Sequence, residues 1–220
     1  KMDMNQARFN MIEQQIRPWE VLDPQVLALL STVRREDFVP LAHKALAFVD
    51  MEIPLGAAPN QVMLAPRVQA RLLQDLAVLN TDKVLDVGTG SGFMAALLAH
   101  QAASVLSLEI DPALASQAQA KLQQAGVSNV TVRCADGSQG AAADGPFDAI
   151  VLNGSVAEVP AALLQQLTVG GRLVAIVGQE PMMRATLITR TGQNSWTTTE
   201  PWDCNAPRLS GFAEPSSFHF

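Results

Sequence analysis

Between Val84 and Gly92 the chain reads Val-Leu-Asp-Val-Gly-Thr-Gly-Ser-Gly. A short apolar run closes on an acid and then opens into three glycines at alternate positions. Glycine tolerates positive φ and lets a backbone come close to a ligand. A strand that turns through such a loop into a helix marks the carboxyl edge of an open α/β sheet, where these folds bind nucleotides. The plain alternative is a tight strand-to-helix turn with no ligand. Three alternating glycines exceed what such a turn requires, so the spacing predicts a ligand site.

The surroundings agree with a doubly wound α/β sheet. From Lys83, strand-like and helix-like runs alternate. Val84–Val87 reads as the first strand and Gly92–His100 as a helix. Val105–Glu109 is the second strand. Asp111 and Pro112 start a helix that ends at Gly126. Val130–Cys134 is the third strand and Phe147–Leu152 the fourth. A helix is expected over Pro160–Leu167, a turn at Gly170–Gly171 and a fifth strand over Leu173–Val177. Strands alternating with helices imply parallel pairing and right-handed crossovers.

Residues 1–79 read differently, as an irregular helical layer. Met4, Ala7 and Met11 share a helical face, as do Ile12 and Ile16, and Pro18 stops that pattern. Asp23 and Pro24 start a second helix, Leu41–Phe48 a short third, Ile53–Pro59 is a loop, and Pro66 opens another helix. Residues 181–220 form a tail in which Leu187–Thr189 and Trp196–Thr199 flank a turn, predicting an antiparallel hairpin on the sheet edge. At 220 residues one domain is expected over 1–220, with 80–180 as its ligand-binding core.

Composition narrows the partners. The net charge of −6 argues against a non-specific grip on nucleic acid. No apolar run is long enough to span a bilayer. Two cysteines, Cys134 and Cys204, form no CxxC pair, which excludes a disulfide framework or thiolate zinc site and suits a reducing cytoplasm. Three histidines, His43, His100 and His219, lie at no metal-ligand spacing. The start of the chain does not read as a secretory signal.

Charge also chooses among ligands. A dinucleotide fingerprint can be forced onto Gly90, Gly92 and Ala95, which would set a pyrophosphate at the helix start. Asp86, however, lies just before the loop, and an unpaired carboxylate there would repel phosphate and attract a cation. S-adenosylmethionine carries an ammonium and a sulfonium and no phosphate. The acid-x-G-x-G-x-G pattern from Asp86 through Gly88, Thr89 and Gly90 to Gly92 suits it better. Glu109 ends the second strand, where a carboxylate can accept both ribose hydroxyls. Asp136 follows the third strand and can accept from the adenine amino group, with Gly137 allowing close approach. Each acid alone could be a solvated loop residue; three at three successive strand ends point to one ligand.

Further segments resemble the protein-L-isoaspartate O-methyltransferase family. They are Met11-Ile12-Glu13-Gln14-Gln15-Ile16-Arg17-Pro18, Arg35-Glu36-Asp37-Phe38-Val39-Pro40, Ile53-Pro54-Leu55-Gly56, Pro146-Phe147-Asp148-Ala149-Ile150 and Gly170-Gly171-Arg172-Leu173-Val174. The resemblance implies a Rossmann-like methyltransferase sheet and S-adenosyl-L-methionine as cofactor. It also implies carboxyl methylation of L-isoaspartyl residues in damaged peptides or proteins, a repair reaction. The family motif G-Q-T-I-S-x-P aligns with Asn60-Gln61-Val62-Met63-Leu64-Ala65-Pro66. Gln61 and Pro66 match; Asn60, Val62 and Leu64 depart, and Leu64 takes the place of the family's active-site serine. The catalytic residue is therefore unassigned, and Gln61, Val62, Met63 and Leu64 form the expected substrate loop.

Two other residues are expected at the substrate: Asn153, after the fourth strand, and Arg208, a candidate partner for a substrate carboxylate. The histidines are expected on the surface or in packing, Cys134 as a buried small residue, and Trp196 and Trp202 packed on the hairpin. Methyl transfer to a carboxylate needs no general base, because the nucleophile is ionised at pH 7. Loss of the loop hydroxyls leaves two alternatives open: a methyltransferase with a changed acceptor, or a protein that binds the cofactor without catalysis.

Overall fold

The computed structural model describes residues 1–216; His219 lies outside the described residues. Seven strands form the main sheet. They are β3 (Lys83–Val87), β4 (Ser104–Glu109), β5 (Val130–Cys134), β6 (Phe147–Val156), β7 (Leu167–Gln179), β8 (Met182–Gly192) and β9 (Ser195–Asp203). The two short strands before them, β1 (Ile53–Pro54) and β2 (Val62–Met63), pair only with each other. The spatial order is β5-β4-β3-β6-β7-β8-β9. β5, β4, β3, β6 and β7 run parallel, while β7–β8 and β8–β9 are antiparallel. The winding reverses between β3 and β6, so a groove opens beyond their carboxyl ends.

Parallel strands buried on both faces carry apolar residues at nearly every position, and their alternation sorts them into two cores. Val84, Val105, Ala149, Val151, Val174 and Ile176 join the core shared with the N-terminal layer. Leu85, Val87, Leu106, Leu108, Ile150 and Leu152 face the opposite core. Helix α4 (Phe93–Gln101) is apolar all round because both neighbouring layers cover it. Helix α5 (Pro112–Gln124) is capped by the Asp111 carboxylate, which accepts from Leu114 N–H at 3.0 Å. No described helix is long and apolar enough to cross a membrane.

The N-terminal layer holds helices α1 (Met4–Met11), α2 (Pro24–Thr32) and α3 (Pro66–Leu76). A π-helical turn, Ile12–Ile16, extends α1, so the two apolar patterns seen in sequence belong to one continuous helical stretch. The expected third helix is a 3-10 segment, Leu41–Leu46. Pro66 opens α3, whose Val68, Leu72, Leu73 and Leu76 are buried.

Several expectations are corrected. The loop at Ile53–Pro59 begins with β1. Gly170 and Gly171 lie inside β7, not in a turn before it. Pairing with β6 slips between Leu167 and Arg172, and Gly170 takes φ +87° there. The helix before β7 is correspondingly shorter, α6 (Ala161–Gln165). The hairpin is longer than read, because β8 pairs along β7 from Met182 to Thr189. Cys134 is exposed, since β5 is an edge strand. Trp202 is buried and donates its indole N–H to Asp75 at 2.7 Å; Trp196 donates to the Leu164 carbonyl.

Candidate active site

The groove is lined by Gly88 and Gly90 of the glycine loop, Glu109 at the end of β4 and Ile110 after it, Gly137 after β5, Asn153 of β6, and the loop residues Asn60, Gln61 and Val62. A strap from Arg208 to Phe212 covers it. The strap runs beside β6: Ser155 N–H donates to the Pro207 carbonyl at 2.8 Å, and Leu209 N–H returns a bond to the Ser155 carbonyl at 2.9 Å. Leu209 sits so close that a Cβ on Gly88 would lie 2.8 Å from its Cδ2. Gly88 also holds φ +85°, so both sterics and backbone select glycine there.

Glu109 is held by two backbone donors. Gly90 N–H reaches its Oε1 at 2.9 Å, and Asp111 N–H reaches its Oε2 at 3.0 Å. Each carboxylate oxygen keeps a further lone pair. Asp136 accepts from Ser138 N–H at 2.9 Å and is exposed beside Gly211 of the strap. Gly137 sits against Val87, where a Cβ would fall 2.5 Å from Cγ1.

Asp86 is not at the groove surface. It is fully buried, accepting from the Ser107 hydroxyl at 2.6 Å and from Asn153 Nδ2 at 2.6 Å. Thr89 is buried behind it and donates to Ser107 at 2.6 Å. Burial pushes the Asp86 carboxyl up to about 7, against the pull of its two hydrogen bonds and with a further upward push from Glu109. The expectation of an unpaired carboxylate meeting a cation directly is thereby corrected. Gly92, at φ +88°, lies outside the lining and lets α4 start beside Ala118 and Leu122 of α5.

The substrate loop divides after Val62, because β2 is only two residues long and the chain turns inward beyond it. Val62 faces the groove, and Met63 and Leu64 are buried in the core. Gln61 bridges the loop to the cofactor side by donating to Asp111 Oδ2 at 3.0 Å. Beneath the loop, buried Arg35 donates to the carbonyls of Ala47 and Leu64, at 2.8 and 3.1 Å, and to Gln69. Its guanidinium lies over the Phe93 ring. Burial, partly offset by Asp50, lowers its pKa to about 9. Arg208, expected to meet a substrate carboxylate, directs its guanidinium to Glu214, Gln179, the Gly178 carbonyl and Ser155, locking the strap. His43 and His100 lie outside the lining, and among the described residues the groove is lined by no histidine or lysine.

A family model for protein-L-isoaspartate(D-aspartate) O-methyltransferase matches residues 6–204. The chain belongs to the protein-L-isoaspartate O-methyltransferase family. It is 40% identical over 195 residues to protein-L-isoaspartate O-methyltransferase 2 of Marinobacter nauticus, covering 88% of each chain. It is 40% identical over 182 residues to a Gloeobacter violaceus protein-L-isoaspartate O-methyltransferase, covering 82% of this chain and 88% of that one. The fold matches a solved protein-L-isoaspartate O-methyltransferase with TM-score 0.77 at 19% identity, over 95% of this chain and 66% of that one. It also matches one from Plasmodium falciparum in complex with S-adenosyl-L-homocysteine, with TM-score 0.73 at 16% identity, over 94% and 99%.

Family members use S-adenosylmethionine, and the residues present fit it. Glu109 keeps free lone pairs at the groove edge. Gly88, Gly90 and Gly137 bring backbone close where side chains would intrude. Asn153 Oδ1 is buried with no hydrogen-bond partner in the protein. Ser107 and, apart from Arg208, the strap were missed in the sequence. Ser107 carried a signal, a polar residue inside an apolar strand; the strap carried none, since its pairing with Ser155 spans the sheet.

Proposed function

We propose that this chain transfers a methyl group from S-adenosylmethionine to a carboxylate oxygen of L-isoaspartyl residues in peptides or proteins, in the cytoplasm. We also propose that residues 1–79, 80–180 and 181–220 act as one domain. The observation that carries the cofactor reading is Glu109, with both oxygens aligned by Gly90 N–H and Asp111 N–H at the groove edge. Glu109 would hold the ribose hydroxyls, and Gly137 and Asp136 would meet the adenine. Family membership supports the acceptor.

When bound, the cofactor supplies an electrophilic methyl on a sulfonium. The acceptor carboxylate is ionised near pH 7 and needs no base. The chain's contribution is to position the two partners and exclude water, which can supply about 7 to 11 kcal/mol. Gln61, tied to Asp111, would keep the acceptor loop in register with the cofactor side. The test is transfer of labelled methyl to an isoaspartyl peptide, with the aspartyl peptide as control. Transfer no greater than to the control rejects the acceptor.

One observation favours a second reading. Val62 and Leu55 put apolar side chains on the loop side of the groove, where the Asn60 and Gln61 amides already donate to Arg208, Ser210 and Asp111, and a site with few free donors discriminates poorly for a polar acceptor. A methyltransferase with a less polar acceptor would show turnover in a screen of metabolite carboxylates and hydroxyls, and little with the isoaspartyl peptide.

A further inference from the structure

The Asn153 side chain presents an acceptor that the protein itself leaves unmet. Its Nδ2 donates to Asp86 Oδ1 at 2.6 Å and to the Gly88 carbonyl at 3.1 Å. The Gly88 carbonyl can only accept, so it fixes which end of the amide is nitrogen. Its Oδ1 is then the free end of the amide, buried and without a donor, in a residue that lines the groove. A buried acceptor left unpaired is costly, so the position calls for a donor from a ligand.

The donor's charge follows from its neighbours. Asn153 Oδ1, the Gly88 carbonyl and the Asp86 carboxylate gather at one corner, and all three are oxygen acceptors. The nearest strap cation, Arg208, is engaged by Glu214, Gln179, Gly178 and Ser155. Such a corner suits an ammonium and repels a carboxylate. Its place in the sheet is also telling. Glu109 ends β4 and Asn153 lies on β6, with β3 between them. Two strand spacings separate them by about 10 Å. A ligand with its ribose at Glu109 would therefore lay its other end across the glycine loop toward Asn153.

We propose that Asn153 Oδ1 accepts an N–H of the α-ammonium group of the cofactor's amino-acid end, with buried Asp86 as the hydrogen-bond partner that holds the Asn153 amide. This rests on the cofactor reading above and adds a residue role to it. Asp86 acts through Asn153 and is a positioning residue.

The test is calorimetric binding of two ligands to the full chain: S-adenosylhomocysteine, and its desamino analogue, which lacks only the ammonium. The parent should prefer S-adenosylhomocysteine by about tenfold or more, the usual worth of a hydrogen bond to a charged group. Asn153→Leu, with Asn153→Ala as a second variant, should lose that preference and bind the desamino analogue as the parent does. Equal binding of both ligands by the parent overturns the proposal, whether or not either variant folds. So does a preference that survives in a folded variant, as it would if Oδ1 serves a backbone N–H of the acceptor peptide or a water. Failure of the parent to bind either ligand would instead overturn the cofactor reading itself.

Discussion

Replacing Leu64 by serine would restore the hydroxyl that its family carries at this position, and the structure predicts what that change costs. Leu64 is 3% exposed and belongs to the core shared with the N-terminal layer. Its backbone carbonyl is already held by Arg35 Nη2. Removing the isobutyl group leaves a cavity worth about 2 to 5 kcal/mol, and the new hydroxyl adds about 1 kcal/mol or more unless it finds a partner. The sum, about 3 to 6 kcal/mol, is a large share of a typical stability of about 5 to 15 kcal/mol. At about 2 to 4 °C per kcal/mol the melting temperature should fall by roughly 6 to 24 °C. Urea denaturation and scanning calorimetry of parent and variant measure it. Val62→Thr, on a half-buried side chain facing the groove where water can reach the new hydroxyl, should cost less, about 1 kcal/mol. A Leu64→Ser variant as stable as the parent, with isoaspartyl activity raised, would show that this side chain faces the groove and refute the division of the loop.

Asp86→Asn should change how stability responds to pH. The folded Asp86 carboxyl titrates near 7 and an unfolded one near 3.9. Between those values the folded chain holds a proton that the unfolded chain has lost, so the parent loses stability as pH rises from about 4 to about 7. The loss approaches about 4 kcal/mol, from about three pH units at 1.36 kcal/mol each. Denaturation across that range should show a flatter profile in the variant, and parallel slopes would contradict the assignment. Glu109→Ala removes the acceptor for two backbone N–H groups and, on the proposed cofactor reading, for the ribose. It should weaken S-adenosylhomocysteine binding by about tenfold or more; unchanged affinity in a titration would misplace the ribose.

The βα alternation was legible in the sequence because strands buried on both faces and helices capped by Asp23 and Asp111 leave strong local marks. Glu109 and Gly137 reached the groove as read, since strand ends at a winding reversal face it whatever the side-chain packing. Asp86 was misread for a reason of parity. Leu85 and Val87 face one core, so Asp86 faces the other, beside Ser107 of the paired strand. The residue types were visible in sequence, but the register of β3 on β4 was not. Leu64 breaks that alternation: it has the parity of groove-facing Val62, but it lies one residue beyond a strand only two residues long and turns into the core. Of the strap only Arg208 was read, and in another role; the rest escaped because Pro207–Phe212 has no periodicity and its pairing with Ser155 joins residues more than fifty positions apart.

The most direct test of the account is a comparison of kcat/KM for methyl transfer from S-adenosylmethionine to two peptides that differ only in one L-isoaspartyl against one L-aspartyl linkage. Positioning by an intact cofactor groove predicts a labelled, base-labile methyl ester on the isoaspartyl peptide, with a specificity ratio of at least about a hundredfold. Equal rates on the two peptides, or no ester on either while S-adenosylhomocysteine binds tightly, would contradict it.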